Sequence, residues 1–279
     1  MKRRLAMIGL VLCLASVCQS QMLCDINNKP FASGERIHYQ LFYNWGPVWI
    51  QAGTCEFSVC LATWNNKKVY QLMAQGKTQK SFDSFYKVRD TIVSYVTRDK
   101  IVPYQAFKYT HEDNWHGIDD FRFTPEQNGW SITTRLKRKK QWRDPEVSRT
   151  TQCGFDMITS IYRLRCISDE KLYVKGRRIE IPVRLDDDEY NLYLTYLGKQ
   201  WIKLYGGGYY SAHEFSLSLI EGNVFKRGDV LKLWLSDDGN KIPLLIESPI
   251  RVGYVKAVFK EAERTLYPLA EARDKSSIN

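Results

Sequence analysis

Along most of this 279-residue chain, apolar and polar positions alternate with a period of two. That is the pattern of strands with one buried face. Between Arg36 and Asn44, Ile37, Tyr39, Leu41 and Tyr43 alternate with His38, Gln40 and Phe42, and Gly46-Pro47 ends the run. Residues 48–61 read as a second strand, with Gly53 marking a bulge or a close approach. Asn65-Asn66 turns the chain, and 69–75 returns. Further strands are expected at 92–97, 105–110, 119–123 and 130–136, while 81–87 fits one helical turn. After the middle of the chain, strands resume at 178–185, 190–197, 200–205, 213–220, 229–235, 241–247 and 251–260. Turns are expected at Asp186–Glu189 and Gly198-Lys199, and Asp238-Gly239 is the clearest hairpin signal.

One segment changes period. In 155–165, Ile158, Ile161, Tyr162 and Arg165 recur at helical spacing, Asp156 stands where a cap belongs, and basic residues fill the last turn. The expected fold is therefore mainly β: an antiparallel barrel, half-barrel or sandwich of about a dozen strands, with one central helix packed on or plugging the sheet. No linker rich in Pro, Gly or Ser divides it. A single antiparallel β domain is expected over 21–272, followed by a polar, frayed tail at 273–279.

The first twenty residues break the strand pattern. Lys2, Arg3 and Arg4 precede an apolar run from Leu5 to Val17, then small and polar residues. This is the pattern of a secretory signal peptide, too short in its apolar part to remain as a membrane span. Cleavage near Ser20 or Gln21 would release the chain into the periplasm or cell envelope. A lipid anchor at Cys18 is the alternative, disfavoured by Val17 where a small residue is wanted.

Export changes how the cysteines are read. Five lie beyond the signal: Cys24, Cys55, Cys60, Cys153 and Cys166. Cys55 and Cys60 fall in one strand, roughly 16 Å apart. Cys153 and Cys166 flank the helix, roughly 20 Å apart. A disulfide needs Cα atoms within about 7 Å, so neither pair is expected to bridge.

Aromatic residues make up 13% of the chain, with 17 Tyr and 8 Trp. They suit half-buried sheets, and they also suit a ligand site. Tyr43, Trp45, Trp49, Tyr205, Tyr209 and Tyr210 are the candidate lining of an apolar cavity. The formal charge is +10, leaving about +7 once the signal cations are removed, a balance that favours anionic surfaces. Arg135, Lys137, Arg138, Lys139, Lys140 and Arg143 form the one concentrated basic patch, flanked by Trp130 and Trp142. Export argues against nucleic acid as its partner and leaves a solvated hairpin arm, or contact with anionic lipid or glycan.

Catalytic motifs are scarce. There is no G-x-S-x-G nucleophile elbow. Gly206-Gly207-Gly208 lacks the lysine of a phosphate loop. His111, Glu112, Asp113, His116, Asp119 and Asp120 form the densest set of metal-ligand types. A step of five between the histidines matches neither a helix face nor one side of a strand, so a solvated loop is expected, with no metal site and no cofactor. His38 and His213 stand alone in alternating strands.

Four landmarks carry a family resemblance. They are Gly34-Glu35 before the first strand, Trp45 to Gly53, the helical segment 155–165, and Leu233 to Pro243 followed by Val252-Gly253-Tyr254. Through them the chain resembles bacterial exported proteins grouped as domain of unknown function 3108. The resemblance implies an exported, mainly β protein and no particular activity. The leading expectation is a non-enzymatic envelope protein holding an apolar or amphipathic ligand, lipid-like or glycan, in a barrel-like cavity. One alternative is an enzyme acting on envelope glycans or lipids, with an acid–base pair drawn from Asp119, Asp120, Glu214 and Asp237. Another is a structural or assembly factor that presents the basic arm. Peripheral membrane contact is compatible with all three.

Overall fold

The protein is described by a computed structural model, which covers residues 26, 29–45, 48–150, 155–185, 188–205, 207–218, 230–250 and 253–277. The signal expected at 1–20, with Cys18, and likewise Cys24, Cys153, Gly46-Pro47, Asp186, Asp187 and Gly206, lie outside the described residues.

The chain forms one large sheet from two antiparallel meanders. The first runs through β1 (Arg36–Trp45), β2 (Val48–Trp64), β3 (Lys67–Thr78), a short helix α1 (Lys80–Asp83), β4 (Arg89–Val96), β5 (Pro103–Glu112), β6 (Trp115–Glu126) and β7 (Gly129–Arg138). The short β8 (Gln141–Trp142) and β9 (Glu146–Thr150) both pair with β7. The chain then crosses through β10 (Phe155–Asp156), α2 (Met157–Arg165) and α3 (Asp169–Leu172). The second meander is β11 (Arg178–Leu185), β12 (Asp188–Lys203), β13 (Tyr209–Ser218), β14 (Val230–Ser236), β15 (Pro243–Pro249) and β16 (Tyr254–Glu263), and β16 closes onto β1. Among the described residues this makes sixteen strands rather than a dozen, all in one sheet, so no second sheet exists to form a sandwich. Three short pieces, β8, β9 and β10, lie outside the expected strands, because two to five residues carry no periodicity to read. The β10–β11 pair is parallel, since the helical crossover delivers the chain to the far edge of the sheet.

The sheet is curled around α2. That helix touches β3 and β4 of the first meander and β10 and β11 of the second, and β10 lies against β5. Arg184 of β11 donates to Ser148 Oγ of β9 at 3.2 Å, linking the two ends of the strand path through side chains. The helix starts where expected: Asp156 accepts from the Thr159 amide at 3.1 Å, satisfying one of the free N–H groups of the first turn. Ile158, Tyr162 and Cys166 pack on Val59, Leu72 and Val96, while Leu164 enters the cluster of Ile179, Leu194, Phe215 and Leu233. A helix buried on nearly every side departs from the one-stripe expectation, and it has to satisfy its own arginines. Arg165 does so through Glu35, and Arg163 Nη1 through the carbonyls of Lys100 and Ile101.

Local chemistry explains the turns. Asn65 and Asn66 both adopt positive φ, 43° and 62°, as a tight two-residue hairpin requires. Gly198 does not turn the chain. It sits in an unbroken β12 at φ 140°, beside a register shift opposite Phe215 and Glu214, so the two strands expected at 190–197 and 200–205 are one bulged strand. Gly53 also lies at a shift of register, and a Cβ there would come within 2.2 Å of the Lys77 carbonyl oxygen. Arg273, in the segment expected to be a frayed tail, exchanges two backbone hydrogen bonds of 2.8 Å with Tyr209.

Candidate functional site

Cross-strand register gathers a set of polar side chains on one face of β1 to β4. His38 stands opposite Glu56, Glu56 opposite Gln75, and Gln75 opposite Thr91. One step along, Thr54 faces Lys77 and Lys77 faces Arg89. Directly opposed residues share a face, and so do residues two apart on a strand. Together they line an open cleft of about 330 Å3, within the size range of small-molecule sites. Lys260 reaches the cleft from β16. It is the extra residue where the β1–β16 register shifts between His38 and Tyr39, and a bulge re-aims the side chain it carries. Gly76 contributes to the lining, and a methyl group there would meet no heavy atom within 4 Å.

The cleft is electrostatically mixed with a cationic side. Arg89 is held by Asp83 at 2.6 Å, and the hydrogen bond from Arg89, helped by one from Thr78, keeps the Asp83 carboxyl below its usual range. His38 lies between Glu56 at 3.5 Å and Glu263 at 3.6 Å. Burial raises the Asp90 carboxyl, partly offset by the His111 amide donating to it at 2.9 Å. Burial, with the neighbouring Glu56, pushes the Cys55 thiol up to about 12, so it stays protonated at neutral pH and is no nucleophile.

The aromatic candidates divide between two places. Tyr43 meets Phe82 with ring centroids 6.3 Å apart, and Trp49, opposite Asn44, lies under the Lys256 ammonium at 4.3 Å. Alternation puts Phe42 on the other face of β1, where its ring meets Tyr205 at 4.9 Å. Tyr43, Trp49 and Tyr205 thus gather at one end of the sheet rather than around one cavity. Tyr210 packs into the core of β1 and β12–β16, and Tyr209 pairs with Arg273. The Trp45 side chain falls outside the described residues.

The basic run is split by its strand. Arg135 and Lys137 point to one face of β7, over the Trp142 ring at 4.8 and 5.8 Å. Arg138 points to the other, where it pairs with Asp119. Lys139 turns the chain at φ 58°, and Lys140 and Arg143 are exposed beyond it.

None of the four candidate acids stands as one of a facing pair. Asp119 and Asp120 are successive residues of β6 and face opposite sides; Asp119 is engaged by Arg138, and Asp120 accepts from Gln105 at 2.7 Å. Glu214 accepts from Gln200 at 2.6 Å and lies 3.7 Å from Lys232. Asp237 accepts from Lys199 at 2.5 Å, Ser211 at 2.8 Å and His213 Nε2 at 2.9 Å. His213 is therefore not isolated, as its sequence context suggests. A carboxylate only accepts, so Nε2 carries the proton and Nδ1 accepts from Tyr196 Oη at 2.9 Å. Tyr173 covers the imidazole, stacked at 3.7 Å. Burial raises the Tyr196 phenol, so the chain ends on a protonated group. No sequence signal links residues 196, 213 and 237, because each comes from a different strand or strand end.

The 111–120 segment is no loop. It is the β5–β6 hairpin, turning at Asp113 with φ 43°, and His111 and His116 are direct cross-strand partners with rings 4.1 Å apart. A spacing of five becomes a face-to-face pair once a two-residue turn intervenes. Among the described residues, no group of three or more His, Cys, Asp or Glu side chains converges as a metal site would require.

The sequence model of the family described as "Protein of unknown function (DUF3108)" matches residues 37–260. The chain belongs to that family. No curated protein matches it. Among solved structures it is similar to a β-barrel-like protein of domain of unknown function DUF1849 from Brucella abortus, with a TM-score of 0.58 and 10% identity, covering 88% of this chain and 100% of the other. At that identity the likeness concerns the fold alone. In this DUF3108 protein, three of the segments that carry the family resemblance meet at one point. Arg165 donates to both Glu35 and the Asn240 carbonyl, each from a separate landmark, inside the sheet. What those segments share is an interior brace.

Proposed function

We propose that this is an exported, non-enzymatic binding protein of the periplasm or cell envelope, taking the polar head of an anionic amphipathic ligand into the β1–β4 cleft. The observation that carries the reading is the cleft itself, about 330 Å3 with Lys77, Arg89 and Lys260 in its lining. Arg89 is paired with Asp83 and Lys260 with Glu261 at 2.9 Å, and Glu56 and Asp90 share the lining, so an anionic head would enter by exchanging these ion pairs for its own. The interior is a poorer candidate, since α2 and its packed side chains occupy it, and the gap between β4–β6 and α2 is about 20 Å3, one water's worth. β2 runs from the cleft at Thr54 to the aromatic end at Trp49, five residues or roughly 16 Å. A ligand head in the cleft would leave its apolar part directed at those rings.

Native mass spectrometry of protein purified from the envelope tests this. A lipid-mass adduct is expected on the unaltered protein and is expected to vanish in Lys77→Glu/Lys260→Glu. A bare mass, or an adduct indifferent to the double substitution, would refute the reading.

A further inference from the structure

We propose that the end of the sheet where β2 begins docks on an anionic lipid bilayer. The proposal does not depend on the cleft. Single exposed apolar residues are ordinary, whereas a contiguous group needs an occupant. Val48, Trp49 and Ile50 open β2 exposed, Phe85 follows α1 at 58% exposure, Tyr254 opens β16, and Tyr205 is 71% exposed.

Contacts show that these residues are neighbours. The Tyr254 amide donates to Asn44 Oδ1 at 2.7 Å, and Asn44 is the cross-strand partner of Trp49. The Gln79 amide donates to the Ala52 carbonyl at 2.9 Å, fixing α1 beside β2. Phe82 then bridges the two, touching Tyr43 at 6.3 Å and Phe85 at 5.4 Å. Tyr205 joins through Phe42. The apolar groups sit on strand ends and a helical turn.

Charge selects the occupant. Lys80 and Lys87, both exposed, bracket the Phe82, Phe85 and Tyr86 rings; the nearby acids are each engaged, Asp83 by Arg89, Glu112 by the Tyr86 hydroxyl at 2.7 Å and Asp113 by the Lys87 amide at 2.8 Å. Exposed aromatic rings beside cations match the interface of a bilayer with negative headgroups, where rings settle at headgroup depth and ammonium groups meet the surface charge.

The test is flotation of the protein, purified as cells export it, with phosphatidylglycerol/phosphatidylcholine vesicles and with phosphatidylcholine alone. Binding is expected on the first only, weakened by added salt. Trp49→Ser/Phe85→Ser should reduce it at least about tenfold, since each ring loses its burial in lipid, with an unchanged melting temperature. Lys77→Glu/Lys260→Glu, which disables the cleft, should leave flotation in place, so the two proposals fail separately. A second measurement holds whatever the N-terminus carries. Brominated acyl chains should quench the share of emission that Trp49→Phe removes. Absence of that quenching, equal binding to neutral vesicles, or full binding by the Trp49/Phe85 variant would each overturn the proposal.

Discussion

Arg165 grips Glu35 with both terminal nitrogens, at 2.7 and 2.8 Å, in a place where neither residue reaches solvent: 2% and 0% exposed. Its Nε donates to the Asn240 carbonyl at 3.0 Å, and Phe31 and Tyr162 present their rings to the guanidinium at 5.3 and 5.2 Å. Burial works against the charge, and the Glu35 hydrogen bonds outweigh it, so Arg165 stays protonated. The pair ties the segment before β1, the central helix and the β14–β15 connection into one unit.

Breaking that pair should be far more harmful than deleting it. Glu35→Gln leaves an uncompensated buried cation and is expected to cost about 3–5 kcal/mol of stability. Glu35→Leu/Arg165→Met should cost less than the sum of its single changes, because the desolvation of both charges is removed along with their attraction. Urea unfolding of the parent, Glu35→Gln, the two single variants and the double variant measures this. A Glu35→Gln loss under about 1 kcal/mol would show that the brace is not built on charge.

Two glycines of neighbouring strands should respond differently. Gly53→Ala forces a methyl group into the Lys77 carbonyl and should destabilise by about 1–3 kcal/mol. Gly76→Ala has open space around it and should stay within about 0.5 kcal/mol. Thermal or urea melts of both would expose an error in the β2–β3 register if the order were reversed.

His213 should make stability fall with acidification. Burial lowers its affinity for a proton, only partly offset by Asp237, so the native ring stays neutral below the usual value. The unfolded ring takes up a proton near pH 6.5, which favours unfolding as pH drops from about 7 toward 5. Asp237 acts lower still. Burial raises it, but donors from Lys199, Ser211 and His213 outweigh that and hold it below the usual range, so its contribution is lost only as pH falls through that depressed value. Melting temperatures across this range should slope less in His213→Asn than in the parent. Parallel slopes would remove His213 as the cause.

Among the described cysteines, alkylation should begin at Cys60. Cys60 is exposed, whereas burial pushes the Cys55 and Cys166 thiols up to about 12 and keeps them protonated. Peptide mapping after brief iodoacetamide treatment at pH 8 should find Cys60 modified first. Early modification of Cys166 would mean that α2 leaves its site readily.

Much of this architecture is local enough to read from the residues in order. Alternation places a strand wherever one face is buried, Asn65-Asn66 demands a tight turn, and Asp156 caps a helix within three residues of itself. The sequence by itself therefore determined a mainly β protein, most of its strands and its one substantial helix. Tertiary structure alone decided what joins them. Glu35 and Arg165 are 130 positions apart, β16 closes on β1 across nearly the whole domain, and α2 tolerates burial on nearly every side only because partners arrive from those distant segments. The candidate cleft was illegible for the same reason. Its face exists only once five strands take a fixed register, and Lys260 enters it through a bulge, which shifts a side chain by one residue and leaves no trace in the alternation of the strand.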